Sequence, residues 1–141
     1  MKSFIKNEKD LVALILRVGF GIFIVFGHGF GKLQMLLSGD IQFPPLFGLD
    51  PKINLIMAVI FEFVAGLALI FGLLTRLASL GLMGIMFVAA FIVHLSDPWF
   101  AMNAAGGGSK EMAVLYFLAF LVTFILGGGK YSLDALIFKK K

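Results

Sequence analysis

The chain contains no cysteine among its 141 residues. Disulfide relays, thiolate catalysis and cysteine-ligated zinc or iron–sulfur centres are therefore excluded. Charge is also scarce, because Asp, Glu, Lys and Arg make up only 14% of the residues, against about a quarter in an ordinary soluble domain. In their place, 60% of the residues are hydrophobic. This balance predicts an integral membrane protein that has the lipid bilayer as its surroundings.

The chain is short, and its excess of positive charge is small. Its length suits a single domain over residues 1–141 and leaves no room for a separate soluble catalytic module. The net charge of +4 includes the three lysines at 139–141. Such lysines are typical of the cytoplasmic flank of a membrane span, so we expect no nucleic-acid partner.

Four stretches are apolar enough to cross a membrane, which takes about 20 residues of helix. They lie at 11–33, 53–74, 77–95 and 112–126. The first is too long for a cleaved signal peptide and is interrupted by Arg17, so we interpret it as a retained span. Asp10 and Asp50 suit the N-caps of the first two helices. The sequence therefore predicts an all-α, integral membrane four-helix bundle.

The distribution of lysine and arginine predicts how this bundle is oriented. Cytoplasmic loops of membrane proteins carry an excess of these residues. With both termini cytoplasmic, the outer side holds only Lys32, Lys52 and Lys110, while the inner side holds the larger set: Lys2, Lys6, Lys9, Arg76, Lys130 and the three terminal lysines. We therefore expect both termini to be cytoplasmic.

Two opposite charges fall inside predicted spans. A charged group at such a depth costs at least about 2.5–3.5 kcal/mol and normally faces a partner within the bundle. Glu62 lies in the second span and Arg17 in the first. One interpretation is an Arg17–Glu62 ion pair that only holds the helices together. The other is that both residues belong to a functional site.

Both histidines of the chain lie near the predicted outer side. The 4-3-4-4 spacing of Arg17, Gly21, Ile24, His28 and Lys32 predicts that all five share one face of the first helix. His94 ends the third span at about the depth of His28. Because imidazole titrates near neutrality, the two histidines and Glu62 would form a proton-handling pocket with Lys32 at its rim. Each histidine alone is equally explained as an interfacial residue. We expect no metal site, because no helix carries ligands at i, i+4 spacing.

Four segments, in this order, carry a resemblance to a known family: LRVGFGIFIVFGHGFGKL, FEFVAGLALIFGLLTRLASL, FIVHL and GGGKYSLDALI. They resemble the DoxX family of small four-helix membrane proteins over residues 16–136. The family is named for the small subunit of a thiosulfate:quinone oxidoreductase. The resemblance implies a multi-pass, quinone-facing protein of a bacterial or archaeal inner membrane.

Quinone as the cofactor makes chemical sense of the polar residues. A quinol site needs an apolar slot and, at each ring carbonyl, a group that donates or accepts a proton. We predict Glu62, His28 and His94 as catalytic groups, and Arg17, His28, Lys32, Glu62 and His94 as the quinone-binding set. The sequence has no flavin motif and no obvious haem ligand pair, so a protein partner would supply electrons, or the chain would act as a homo-oligomer.

A second function remains open at this level. The chain would then be a non-catalytic membrane subunit that anchors or assembles a larger complex, with its buried charges purely structural. The two functions differ in what they require of the fold. A quinone site needs a ligand-sized slot with polar ends, whereas an anchoring subunit needs a closed core.

Overall fold

The structure, a computed structural model, describes residues 7–100 and 109–138, and the described part is helical without strands. Three long helices come first: α1 (Glu8–Ser38), α2 (Pro51–Phe71) and α3 (Thr75–Val93). They are followed by α4 (Lys110–Leu126) and the short α5 (Leu133–Ile137). The all-α prediction is confirmed at this level.

Three helices in the described part of the chain are long and apolar enough to cross a membrane, namely α1, α2 and α3, with hydropathies of 2.2, 2.4 and 2.1. Helix α4 is equally apolar in character but only 17 residues long. Large apolar side chains such as Phe23, Phe71 and Leu77 are 60–66% exposed on the outside of the helices. Such outward-facing residues are what a bilayer would cover.

Each long helix contains a π-helical segment, in which backbone N–H groups bond to carbonyls five residues back. The segments are Val25–Gly29 in α1, Val59–Ala65 in α2 and Ala89–Val93 at the end of α3. A π-helical turn holds an extra residue and shifts the helical phase of everything that follows it. Such turns occur frequently at functional sites.

The helices pack as neighbours around a common core. Helix α1 contacts α2 and α4, and α3 contacts the same two helices. Helices α1 and α2 approach closely because Gly66 faces the Val25 side chain, where an added Cβ would lie 2.7 Å from Val25 Cγ2. Helices α3 and α4 share a buried hydrogen bond of 2.8 Å between Ser79 Oγ and Thr123 Oγ1.

At one end of the bundle, the segment after α4 is hydrogen-bonded to the start of α1. The Lys130 backbone N–H donates to Asp10 Oδ1 at 2.9 Å. Asp10 is therefore not the N-cap of α1, as the sequence suggested. Asn7 occupies that position with a left-handed backbone and no side-chain cap bond. Asp10 lies in the first turn, where its negative charge interacts favourably with the positive end of the helix dipole.

At the other end, the predicted cap of α2 is present. Asp50 Oδ1 accepts the Lys52 N–H at 2.8 Å, and Pro51 occupies the first helical position. The start of α4 bonds to the segment after α3, because the Lys110 and Glu111 N–H groups donate to the Pro98 and Trp99 carbonyls. The end of α1 contacts the start of α2 at this end of the bundle.

Candidate functional site

The candidate site forms where the π-helical turns of α1 and α2 cross. Gly29 lies against the α2 backbone so closely that an added Cβ would be 2.7 Å from the Phe63 nitrogen and 2.8 Å from the Glu62 carbonyl carbon. Only glycine permits this approach. The crossing therefore fixes the distance between the polar residues that flank it, His28 on α1 and Glu62 on α2.

Glu62 is buried, with 5% of its surface exposed, and its carboxylate pairs with the Lys32 ammonium group. The Lys32 side chain is 22% exposed. Lys32 is therefore more than the rim residue that the sequence suggested, because it supplies the opposite charge to Glu62. Pairing lowers the cost of burying a carboxylate at this depth.

The predicted Arg17–Glu62 ion pair is wrong: among the described residues Glu62 pairs with Lys32, and Arg17 bonds to backbone carbonyls. Arg17 is 2% exposed and lies toward the opposite end of α1. Its guanidinium donates to the Leu69, Ile70 and Tyr131 carbonyls. Carbonyls of the last turn of a helix lack intrahelical donors, and a cation there is favoured by the helix dipole. Arg17 therefore joins α1, the end of α2 and the segment before α5.

His28 does not share the buried face that the 4-3-4-4 spacing predicted. Arg17, Gly21 and Ile24 are buried, but within the π-helical turn the buried positions are Val25 and Gly29, and His28 is exposed. The extra residue in the turn causes this phase shift. The imidazole packs edge-on to the Tyr116 ring of α4, with centroids 5.7 Å apart and an interplanar angle of 88°.

His94 follows the π-helical turn that ends α3. Its Nδ1 lies 2.7 Å from Asp97 Oδ2, and its backbone N–H donates to the Ala89 carbonyl at 2.9 Å. A carboxylate bonded to one ring nitrogen fixes the orientation and tautomer of a histidine, which leaves Nε2 as the ring's other polar atom. Asp97 is thus the residue that positions His94.

One cavity of about 1180 Å³ brings four of the five predicted residues together: His28, Lys32, Glu62 and His94 line it, and Tyr116 joins them. Arg17 is not among the lining residues. Most of the remaining lining is apolar and comes from α2 and α3. The four predicted groups therefore face one common space, which is what a joint site requires.

The loop between α1 and α2 lines one end of this cavity. Phe43, Pro44 and Phe47 line it from that side. The loop is held by Asn54, a buried residue of α2 whose side-chain amide donates to the Leu46 and Leu49 carbonyls at 3.2 and 3.4 Å. Asn54 therefore holds the loop segment that forms this wall of the cavity.

Sequence reasoning did not identify Tyr116 and Asp97. Tyr116 is one of only two tyrosines in the chain and interrupts an apolar helix, so its type and position were available signals. Asp97 follows His94 by three residues, which is hydrogen-bonding range in a turn. Over the described residues no three metal-ligating side chains cluster.

Comparison with known proteins decides the family. The profile of the family described as DoxX matches residues 12–95, a stretch that includes Arg17, His28, Lys32, Glu62 and His94. This chain belongs to the DoxX family. "Inner membrane protein YqjF" of Escherichia coli (strain K12) is 31% identical over 138 residues, which cover 96% of this chain and 98% of that protein.

A second relative of this DoxX protein comes from Bacillus subtilis (strain 168) and carries the name "Putative oxidoreductase CatD". It is 32% identical over 133 residues, covering 94% of this chain and 91% of its own length. No solved structure matches. The family, the inner membrane relative and the three long apolar helices together identify a multi-pass protein of the inner membrane.

Proposed function

We propose that this DoxX protein binds a quinone or quinol within the inner membrane, as a membrane subunit of an oxidoreductase system. The observation that carries this proposal is the cavity of about 1180 Å³, which is apolar along α2 and α3 and has Lys32, Glu62 and His28 grouped in one part of it. An apolar cavity with a few convergent polar groups is the usual form of a small-molecule site.

The residues of the cavity fit the chemistry of a quinone. A bound quinone supplies two-electron, two-proton redox chemistry. Lys32 would donate a hydrogen bond to a quinone carbonyl, and the Glu62 carboxylate would accept the proton of a quinol hydroxyl. His28, edge-on to Tyr116, and His94, oriented by Asp97, would carry protons toward the end of the cavity nearest the α1–α2 loop.

The reaction class has one further line of support, since the Bacillus subtilis relative carries the name oxidoreductase. We propose that the electrons come from a protein partner, because the sequence contains no flavin motif. The competing function, a purely anchoring subunit, requires a closed core. An open cavity with a buried charge pair on its wall favours the quinone site.

We further propose that α4 is the fourth span and that both termini are cytoplasmic. Helix α4 packs along α3 and α1, and its 17 residues are within the range that crosses a thin hydrocarbon layer when flanking residues reach the interfaces. Lys9, Arg76 and Lys130 lie at the end of the bundle that contains both described chain ends.

The binding test uses purified full-length protein. Its organic extract should contain quinone, and added quinone should co-elute with the protein. Glu62→Gln should weaken this binding about tenfold, because the neutral amide no longer balances Lys32 or accepts a full proton. The matched control is Glu111→Gln, the same change at an exposed position at the start of α4, which should leave binding unaltered. A wild-type protein that neither contains nor binds quinone would refute the proposal.

A further inference from the structure

The cavity extends sideways between α2 and α3. Its lining includes residues of both helices that also face outward, such as Val64 and Leu80, which are 55% and 52% exposed. A cavity whose walls are also the outer surface of the bundle opens to the surrounding lipid. We name this part of the cavity the α2–α3 groove.

Two glycines, one helical turn apart on α3, show where the groove is filled and where it is open. A Cβ on Gly81 would lie 2.7 Å from Cδ1 of the Phe61 ring, so Phe61 occupies the space beside it. At Gly84 no atom lies within 4 Å of an added Cβ. Both glycines line the cavity. Space beside Gly84 is therefore continuous with the cavity and unfilled by the described residues.

The lining residues of α3 run from Leu77 to Val93, next to His94. At 1.5 Å per residue this is about 24 Å, most of the thickness of a hydrocarbon layer of about 30 Å. His94 lies at one end of this run, and Glu62 lies near the middle of α2. The lining from Val64 to Ala68 and from Leu77 to Gly84 is apolar, so the groove is apolar between the Lys32–Glu62 pair and the α2–α3 turn.

From this geometry, and resting on the proposed function, we propose that the α2–α3 groove holds the linear isoprenoid tail of a membrane-borne quinone that enters laterally from the bilayer. The head group then lies at Glu62 and Lys32, and the tail runs past Gly84 toward Leu77. The Lys32–Glu62 pair, where the apolar stretch begins, complements a compact head group with carbonyl oxygens.

The depth of the polar groups argues against a phospholipid as the occupant. Glu62 lies eleven positions after Pro51, the first residue of α2, which corresponds to about 16 Å along the helix. A phosphate head group remains at the membrane surface and does not reach a buried carboxylate at that depth. An uncharged ring does, because it loses little on leaving water.

The test maps the tail by photo-crosslinking in membranes. The probe is a long-tailed ubiquinone analogue with a photoreactive group at the end of the tail, and labelled peptides are identified by mass spectrometry. We expect labelling of the segments 57–68 and 77–93, which line the groove, and none on the outer face of α1 around Phe23. Excess tail-less quinone with the same head group should displace the probe.

Matched variants test the open space itself. Gly84→Leu should fill the groove and reduce labelling at least about tenfold, while tail-less quinone still binds as in the wild type. The control is Gly19→Leu, at a glycine of α1 that also has no atom within 4 Å of an added Cβ and does not line the cavity. If Gly84→Leu fails to fold, Gly84→Ala and the wild-type crosslinking map decide the question.

The possible results separate this inference from the proposed function. Crosslinks elsewhere on the chain, with tail-less quinone still binding in a Glu62-dependent manner, would overturn only the groove. Displacement of the probe by phospholipid but not by tail-less quinone would make the groove a lipid site and would also overturn it. Absence of binding by either quinone would overturn both.

Discussion

Arg17 and Glu62 are both buried charges, but different parts of the molecule stabilise them. Glu62 is paired with a lysine on the neighbouring helix, beside a cavity. Arg17 is surrounded by backbone carbonyls near the opposite end. Removing one member of a buried pair leaves the other uncompensated, whereas replacing both by apolar residues is often neutral. Their partners therefore decide which substitutions are tolerated together.

A double-mutant cycle tests the Lys32–Glu62 pair. Glu62→Leu and Lys32→Leu should each lower the melting temperature in detergent, and the double variant should recover part of the loss. We expect a coupling energy of about 0.5–3 kcal/mol, as for residues in direct contact. The parallel cycle of Arg17→Leu with Glu62→Leu serves as the control and should be additive. Strong coupling between Arg17 and Glu62 would contradict the observed pairing.

At the scale of elements, a short segment after α4 holds the turn between α2 and α3. Asp134 accepts the backbone N–H groups of Leu74 and Thr75 at 2.6 and 2.8 Å, which are the first donors of α3. The Asp134 N–H donates back to the Gly72 carbonyl at 2.8 Å. Arg17 reaches the same segment at Tyr131. The turn is thus joined to both α1 and α5.

Replacement of Asp134 tests this connection. Asp134→Ala removes both acceptors and should destabilise the fold by about 0.5–2 kcal/mol, the usual cost of losing an N-cap. Asp134→Asn keeps one of the two acceptors, because its amide NH2 group can only donate, and should lose an intermediate amount of stability. Melting temperature and amide exchange at Thr75 report the effect. Unchanged exchange in Asp134→Ala would show that the turn is stable without this carboxylate.

Local signals in the sequence predicted some of these elements well. The Asp50–Pro51 cap of α2 depends only on residues next to each other. The site was harder to predict because the π-helical turn in α1 breaks the regular spacing between Ile24 and His28. The partners of Arg17 are backbone carbonyls. Every residue has such a carbonyl, so the residue types in the sequence do not indicate which ones Arg17 contacts. Sequence periodicity therefore located the polar residues but not their contacts.

At the scale of the whole molecule, the two ends of the bundle differ in how many lysine and arginine side chains are exposed. At the end with the α2–α3 turn, Lys9, Arg76 and Lys130 are exposed, and Arg76 remains so although it donates to the Ile125 carbonyl at 3.4 Å. At the opposite end, Lys32 is paired with Glu62, and Lys110 donates to the Leu95 carbonyl at 2.7 Å. Only Lys52 is exposed among the cations described there. The contacts therefore increase the asymmetry that the sequence already indicated.

This asymmetry predicts the orientation of the molecule, and the absence of cysteine makes the test direct. Gln42→Cys, in the exposed loop before α2, should react in intact cells with a maleimide that does not cross membranes. Tyr131→Cys, at the opposite end, should react only after the inner membrane is opened. Both substitutions leave every lysine and arginine in place, so they do not disturb the charges that set orientation. Phe23→Cys, on the apolar face of α1, should stay unlabelled in both conditions. Labelling of the cysteine at 131 in intact cells, without labelling at 42, would show that the bundle is inverted and that free positive charge does not set its direction.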